Sequence, residues 1–501
     1  MTKITADALV STGIPGLDEI LGGGLPRDRT YLVKGPPGVG KTTLALQFLL
    51  SGVEKGERCL YITLSETRDE LNGVAESHGW SLDGVKLFEL TQAEAEAGAG
   101  EYTMYHPSEI ELGHAMKSLL VEVEQFRPQR VVFDSLSEVR LLAQQPLRYR
   151  RQILALKQYF AGTNCTVLLL DDQSAEVDNH LESLAHGVIA LERRVPHYGG
   201  ARRQLEVMKL RGVQFRDGFH DFTIQRGGLQ VYPRLVAADH LAGTQQEVVT
   251  SGVSELDGLL GGGLNRGTAT LVLGPSGSGK SALAAHFLCA VTGRGERGVV
   301  YTFDEGSHTL FTRAHGLGLP LAERVKSGHA RVQQIDPAEM GPGQFAHLVR
   351  TAVEQEGMRF IIIDSLTGYL NAMTEEHFLL NQLHELLTFL GRAGVVTILV
   401  ATQHGLIGSN MLTPVDVSYL ADAVILLRYF EAGGCVHNAI SVVKKRTGAH
   451  ERTIREFALT SSGVRVGAPL RDFHGVLTGV PTYTGKTDPL MQEGTMRGSD
   501  E

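Results

Sequence analysis

The chain has 501 residues, 42% of them hydrophobic, and its 47 basic and 56 acidic residues leave a net charge of −9. That length predicts more than one domain, and the acidic balance argues against a dedicated nucleic-acid binder, which carries a basic surface. Glycine is in excess at 59 residues, with only 17 prolines and no three-residue period. Collagen is thereby excluded, and the glycines belong in turns and ligand loops.

The four cysteines, Cys59, Cys165, Cys289 and Cys435, form no CxxC pair. This argues against a zinc site or disulfide framework and favours a reducing compartment. The start, MTKITADALVSTG, has no apolar run of signal-peptide length, and no run of about 18 apolar residues occurs. A soluble, cytoplasmic protein with no membrane partner is expected.

In chain order, the first signal is GIPGLDEILGGGL at 13–25, which returns as GVSELDGLLGGGL at 252–264. GPPGVGKT at 35–42 returns as GPSGSGKS at 274–281, and CLYITLSET at 59–67 returns as GVVYTFDEG at 298–306. All three pairs are 239 residues apart. RVVFDS at 130–135 matches FIIIDS at 360–365, and KLRG at 209–212 matches KKRT at 444–447. The chain therefore holds two copies of one domain of roughly 230 residues, each long enough for its own core. The join near 233–250 gives domains over 1–240 and 241–480, with 481–501 as a flexible tail. The Ala-, Glu- and Gly-rich stretch 91–103 reads as a surface excursion.

Near-continuous apolar runs predict the strands TYLVKG, CLYITL, VKLFEL, RVVFDS and TVLLLDD in the first copy. ATLVLG, GVVYTF, RFIIIDS, VVTILVAT and AVILLRY follow in the second. Such runs suit strands buried on both faces of a mostly parallel sheet, with amphipathic stretches between them as crossover helices. The fold class is α/β: a mostly parallel sheet flanked by helices, built twice.

Both glycine-rich loops satisfy GxxxxGK[ST] between an apolar strand and an apolar helix. This spacing turns backbone N–H groups inward around phosphate oxygens. The nucleotide-binding candidates are Gly35, Gly38, Gly40, Lys41, Thr42 and Thr43, then Gly274, Ser276, Gly277, Ser278, Gly279, Lys280 and Ser281. Lys41 and Lys280 would reach the transferring phosphate, at a helix N-terminus that favours anions. Thr42 and Ser281 would offer hydroxyls to Mg²⁺, with ATP as the nucleotide. Asp134 and Asp364 end hydrophobic strands, as expected of the Mg²⁺-supporting carboxylate.

Ser65-Glu66 and Asp304-Glu305 close the second strand of each copy. A carboxylate there can orient or deprotonate an attacking hydroxyl. The plain alternative is a helix-capping acid, and residue chemistry leaves the two open. Lys209, Arg211, Lys444 and Arg446 recur late in each copy. They are either solvated cations or basic groups delivered to a neighbour's nucleotide.

Together these motifs resemble the KaiC family, circadian-clock ATPases of the RecA-like superfamily, over roughly residues 5–480; 417–457 is especially similar to the kinase half. The resemblance implies two tandem RecA-like P-loop domains in a double-ring homo-hexamer with ATP between subunits. The first ring would be a slow ATPase and the second an autokinase. Lys209, Arg211, Lys444 and Arg446 would act on a neighbour's ATP. Glu66 would support the attacking water, and Asp304 and Glu305 would form the kinase acid pair. The implied phosphoacceptor is Ser418, with Tyr419 and Thr413 beside it. Three positions depart from the family: Tyr419 replaces part of a Ser-Thr pair, Ser65 replaces a Glu, and Asp304 is one methylene shorter than Glu. A stimulatory or clock partner is implied at the C-terminus.

Two other readings stay open. One is a RecA-like recombinase or helicase-type motor, supported by the basic stretch Arg140, Arg148, Arg150 and Arg151. The other is a nucleotide-gated scaffold with little turnover.

Overall fold

The computed structural model describes residues 8–89, 107–143, 145–172, 179–196, 199–239, 247–372, 379–403, 418–476 and 482–483. The chain divides into two units, Met1–Arg234 and Leu235–Glu501.

The first unit is built on nine strands: β1 (Thr30–Gly35), β2 (Cys59–Thr63), β3 (Val85–Glu89), β4 (Arg130–Asp134), β5 (Thr166–Asp172), β6 (Gly187–Arg194), β7 (Arg202–Leu210), β8 (Phe219–Gln225) and β9 (Gly228–Tyr232). Their order is β9-β8-β7-β6-β1-β5-β4-β2-β3. The run from β3 to β6 is parallel, and β6 to β9 is antiparallel.

The second unit repeats this plan. Its strands are β10 (Ala269–Gly274), β11 (Gly298–Thr302), β12 (Ala330–Gln334), β13 (Phe360–Asp364), β14 (Val396–Thr402), β15 (Ala423–Ala432), β16 (Cys435–Lys445), β17 (Ile454–Thr460) and β18 (Gly463–Pro469). They are ordered β12-β11-β13-β14-β10-β15-β16-β17-β18, parallel up to β15 and antiparallel beyond.

The parallel strands are apolar throughout because both faces are covered. In the first unit Val33, Tyr61 and Val132 pack with Leu44 and Phe48 of helix α1 (Lys41–Glu54) on one face. Leu32, Ile62 and Phe133 pack with Val139 and Ile153 on the other. In the second unit Val272, Val300 and Ile362 meet Leu283 and Phe287. Leu271, Tyr301 and Ile363 face Phe345 and Leu386. Leu235 and Ala237 also belong to that second-unit core.

The antiparallel extensions were not read from the sequence. Their strands mix polar, partly exposed positions with buried ones, as in RRQLEVMKL over Arg202–Leu210. They therefore lack the continuous apolar run that marks a buried strand.

The duplicated lead-in has a structural cause. Asp18 and Asp257 accept the backbone N–H of Thr12 at 2.8 Å and of Ser251 at 2.7 Å. The following glycines turn with positive φ: Gly24 at 133° and Gly263 at 134°. A Cβ on either would stand 2.4 Å from the carbonyl oxygen of Val10 or Val249, so only glycine fits. Thr482–Tyr483 pairs with Phe473–His474. The stretches 91–103 and 484–501 lie outside the described residues. Among the described residues no helix is long and apolar enough to cross a membrane.

Candidate active sites

In each unit the central strand ends at a glycine-rich loop that feeds a helix. β1 ends at Gly35 and α1 starts at Lys41; β10 ends at Gly274 and α2 (Lys280–Gly293) starts at Lys280. Gly38 and Gly40 have φ of 72° and 119°, and Gly277 and Gly279 have 79° and 95°. Positive φ at these positions lets successive N–H groups form an anion nest at a helix N-terminus. Thr43 is buried in α1. Ser278 donates to the Pro275 carbonyl at 2.8 Å, and the Ser276 carbonyl accepts the Tyr429 hydroxyl at 3.1 Å.

The two lysines are buried and differently matched. Lys41 donates to the Gly35 carbonyl at 2.7 Å and pairs with Asp172 at 2.7 Å. Lys280 donates to the Pro275 carbonyl at 2.7 Å. Thr402 opposes Gly274 as Asp172 opposes Gly35, so the second site lacks that carboxylate. Burial pushes the Lys280 ammonium down to about 8. A buried ammonium held mainly by carbonyls fits a phosphate, which would supply the missing counter-charge.

Beside each lysine a hydroxyl meets a carboxylate. Thr42 Oγ1 stands 3.5 Å from Asp134 Oδ2, which also accepts the Tyr61 hydroxyl at 2.5 Å. Ser281 bonds Asp364 in the same way. Burial pushes both carboxyls above their ordinary range. The hard-oxygen donors Thr42 with Asp134, and Ser281 with Asp364, fit Mg²⁺ carried in on ATP.

The strand-to-helix turns after β2 and β11 hold the acids. Thr63 Oγ1 accepts the Glu66 N–H at 2.9 Å and donates to the Glu66 carbonyl at 2.8 Å. Thr67 then caps helix α3 (Arg68–His78) in a reciprocal capping box with Glu70. The Glu66 carboxyl is half-buried, and its Oε2 has no hydrogen-bond partner among the described residues. Burial, then the negative charges of Asp134, Glu70 and Asp172, push it up to about 7.

In the second unit the acid pair is divided. Asp304 accepts the Ser365 hydroxyl, which also takes the Gly368 N–H at 2.9 Å. Asp304 thus steadies the turn after β13. Glu305 pairs with Arg313 at 2.7 Å. Ser65, the counterpart of Asp304, carries no carboxylate.

Lys209 and Lys444 lie on β7 and β16, two strands across from the phosphate-loop strand and toward the end of the sheet opposite the loop. Lys209 opposes Val188, which is level with Leu32 of β1. Lys444 opposes Val424, level with Leu271 of β10. Each level is three residues before the strand's last glycine, roughly 10 Å back at ~3.3 Å per residue. The structure does not bring these cations to their own phosphate loops. Lys444 instead donates to the carbonyls of Ser418 at 2.7 Å and Ala421 at 2.8 Å, and Arg446 to that of Tyr419 at 3.1 Å. Lys209 holds the carbonyls of Glu182 and Ala185, and Arg211 that of Ser183. Glu182 thus stands where Ser418 stands in the second unit, and it pairs with Lys34 at 2.5 Å. Ser418 and Tyr419 are exposed; Thr413 lies outside the described residues.

In the basic stretch, Arg140 Nη2 donates to both carboxylate oxygens of Asp171, at 3.1 and 3.0 Å, and the guanidinium lies over the Tyr149 ring. Sequence reading missed Asp172, Thr63 and Arg313. Asp172 had a signal, as the last residue of an apolar strand like Asp134. Arg313 had none, because it lies inside an ordinary amphipathic helix.

The family described as "ATPase: KaiC" matches residues 10–236 and again 249–471. The circadian clock protein KaiC3 of Synechocystis sp. is 27% identical over 493 residues, covering 96% of this chain and 95% of its own. The circadian clock oscillator protein KaiC of Thermostichus vulcanus is 28% identical over 487 residues, covering 94% and 92%. Its namesake in Synechococcus elongatus is 28% identical over 488 residues, covering 95% and 92%.

Proposed function

Because the chain belongs to the KaiC family of ATPases, we propose that its first domain hydrolyses ATP and its second domain phosphorylates Ser418 of a neighbouring subunit. The assembly would be a double-ring homo-hexamer. One observation carries this reading. Lys444, which holds the Ser418 turn, is level with Leu271, three residues before the last glycine of β10, so the turn lies toward the end of the sheet remote from that unit's own phosphate loop. In the proposed ring an acceptor at that end would meet the nucleotide of the next subunit.

In the first domain Glu66 would take a proton from the attacking water, with Lys41 on the phosphate. In the second domain Ser418 Oγ would attack the γ-phosphorus. The bond to the β–γ bridging oxygen breaks, ADP leaves, and the hydroxyl proton passes to Glu305. Mg²⁺, when bound beside Thr42 and Asp134 or Ser281 and Asp364, would neutralise phosphate charge. Lys209, Arg211, Lys444 and Arg446 would stabilise the neighbour's transferring phosphate. Asp304 supports the turn next to Glu305. The names of the relatives support a clock role; action through partner proteins in the cytoplasm is part of the same proposal.

The test is incubation of the whole protein with ATP and Mg²⁺, followed by phosphosite mapping. Stoichiometric phosphate on Ser418, lost in Glu305→Gln, is expected. Wild-type protein without phosphate at Ser418, Tyr419 or Thr413 would end the kinase reading and leave the ATPase standing.

A further inference from the structure

The two glutamates sit at equivalent places but are held by different means. Helix α3 begins at Arg68 and helix α4 (Ser307–Gly316) at Ser307, so Thr302 matches Thr63, Glu305 matches Glu66 and Gly306 matches Thr67. In the first unit the backbone does the holding: Thr63 clasps Glu66 through N–H and carbonyl, and Thr67 caps the helix. The second unit lacks both devices. Thr302 Oγ1 is buried without a hydrogen-bond partner among the described residues, and Gly306 offers no side-chain cap. What restrains Glu305 is Arg313, 2.7 Å away and two turns along α4. The first unit has a half-buried Val74 at the matching position, packed on the core. Asp364 feels the charges of Glu305, Arg313 and Lys280, so these four groups share one neighbourhood.

We propose that Arg313 is a positioning residue of the second site, which fixes the Glu305 carboxylate in place of the threonine clasp and cap used by the first site. This rests on the reading of Glu305 as the proton acceptor. A carboxylate on an uncapped turn samples several rotamers, and a paired guanidinium selects one. Displacement of a catalytic group by ~1 Å costs up to ~100-fold in rate.

The experiment is a double-mutant cycle in full-length protein carrying Glu66→Gln, so that only the second site turns over. Single-turnover phosphorylation and ATP consumption are measured against ATP concentration. Arg313→Gln is expected to lower kcat by at least about 10-fold with KM for ATP within about two-fold, and to cost nothing further on top of Glu305→Gln. An undiminished kcat in Arg313→Gln, or an equal further loss on top of Glu305→Gln, would overturn the proposal. Full turnover in Glu305→Gln alone would instead overturn the role of Glu305 itself. If Arg313→Gln does not fold, Arg313→Lys enters the same cycle. It keeps the cation but loses the planar fork, and the same absence of effect on top of Glu305→Gln is required.

Discussion

Glu66 and Glu305 show how one residue type acquires two characters from its neighbours. Glu66 has no ion-pair partner among the described residues, and burial with nearby acids outweighs the Lys41 charge and moves it to about 7. A general base works only when ionised, so a raised value removes activity from the acid side. With Lys280→Ala silencing the second site, phosphate release by the first domain should fall about tenfold per pH unit below about 7. Steady-state release measured from about pH 5.5 to about 8.5 checks this. A flat profile would remove Glu66 as the base. Asp172 is a second local difference. Its bond to Lys41 competes with incoming phosphate, so Asp172→Thr should tighten ATP binding at the first site by several-fold, on the order of 1 kcal/mol. Titration with a fluorescent ATP analogue reads this directly.

At the scale of elements, the placement of β4 depends on a buried ion pair. Arg130, at the start of β4, is only 1% exposed and pairs with Glu57 at 2.5 Å. It also donates to the carbonyls of Ser11 and Phe48 and stacks on the Phe48 ring. Burial alone would raise the Glu57 carboxyl, but its bonds to Arg27 and Arg130 outweigh that and hold it below its ordinary value. Removing one partner leaves the other buried and uncompensated. Arg130→Ala should therefore destabilise the first unit by about 3–5 kcal/mol, or roughly 10 °C in thermal melting. Arg130→Met combined with Glu57→Met should cost less than the single change, because no charge is then stranded. The second unit has Phe360 in this place, and its stability should not change in either variant.

For the whole molecule, the decisive prediction concerns mixing. Lys280 lies at the phosphate loop, and Arg446 follows β16 toward the opposite end of the same sheet. If they serve one active site from two subunits, Lys280→Ala protein and Arg446→Ala protein are each inactive as kinases but complement when mixed. The mixed oligomers contain some interfaces with both residues intact, so phosphate on Ser418 should return to a fraction of the wild-type level. Mass spectrometry of the mixture reads both the oligomer and the phosphosite. No recovery, with subunit exchange verified, would place both residues in one subunit's site.

The sequence by itself determined the duplication, the α/β class, the parallel strands other than β6 and β12, and both phosphate loops. These are local or periodic features: a nest needs glycines at fixed spacing, and a strand covered on both faces needs an unbroken apolar run. The tertiary structure alone decided what the acids and cations do. Whether Glu305 is paired depends on Arg313 facing it from a helix, and whether Lys444 reaches its own nucleotide depends on the register of β16 on β15. The antiparallel extension that carries Lys209 and Lys444 was equally hidden, since its strands mix polar and partly exposed positions with the buried ones. Chemistry encoded by spacing along the chain is legible before folding. Chemistry that depends on which side chains meet across space exists only once the chain has packed.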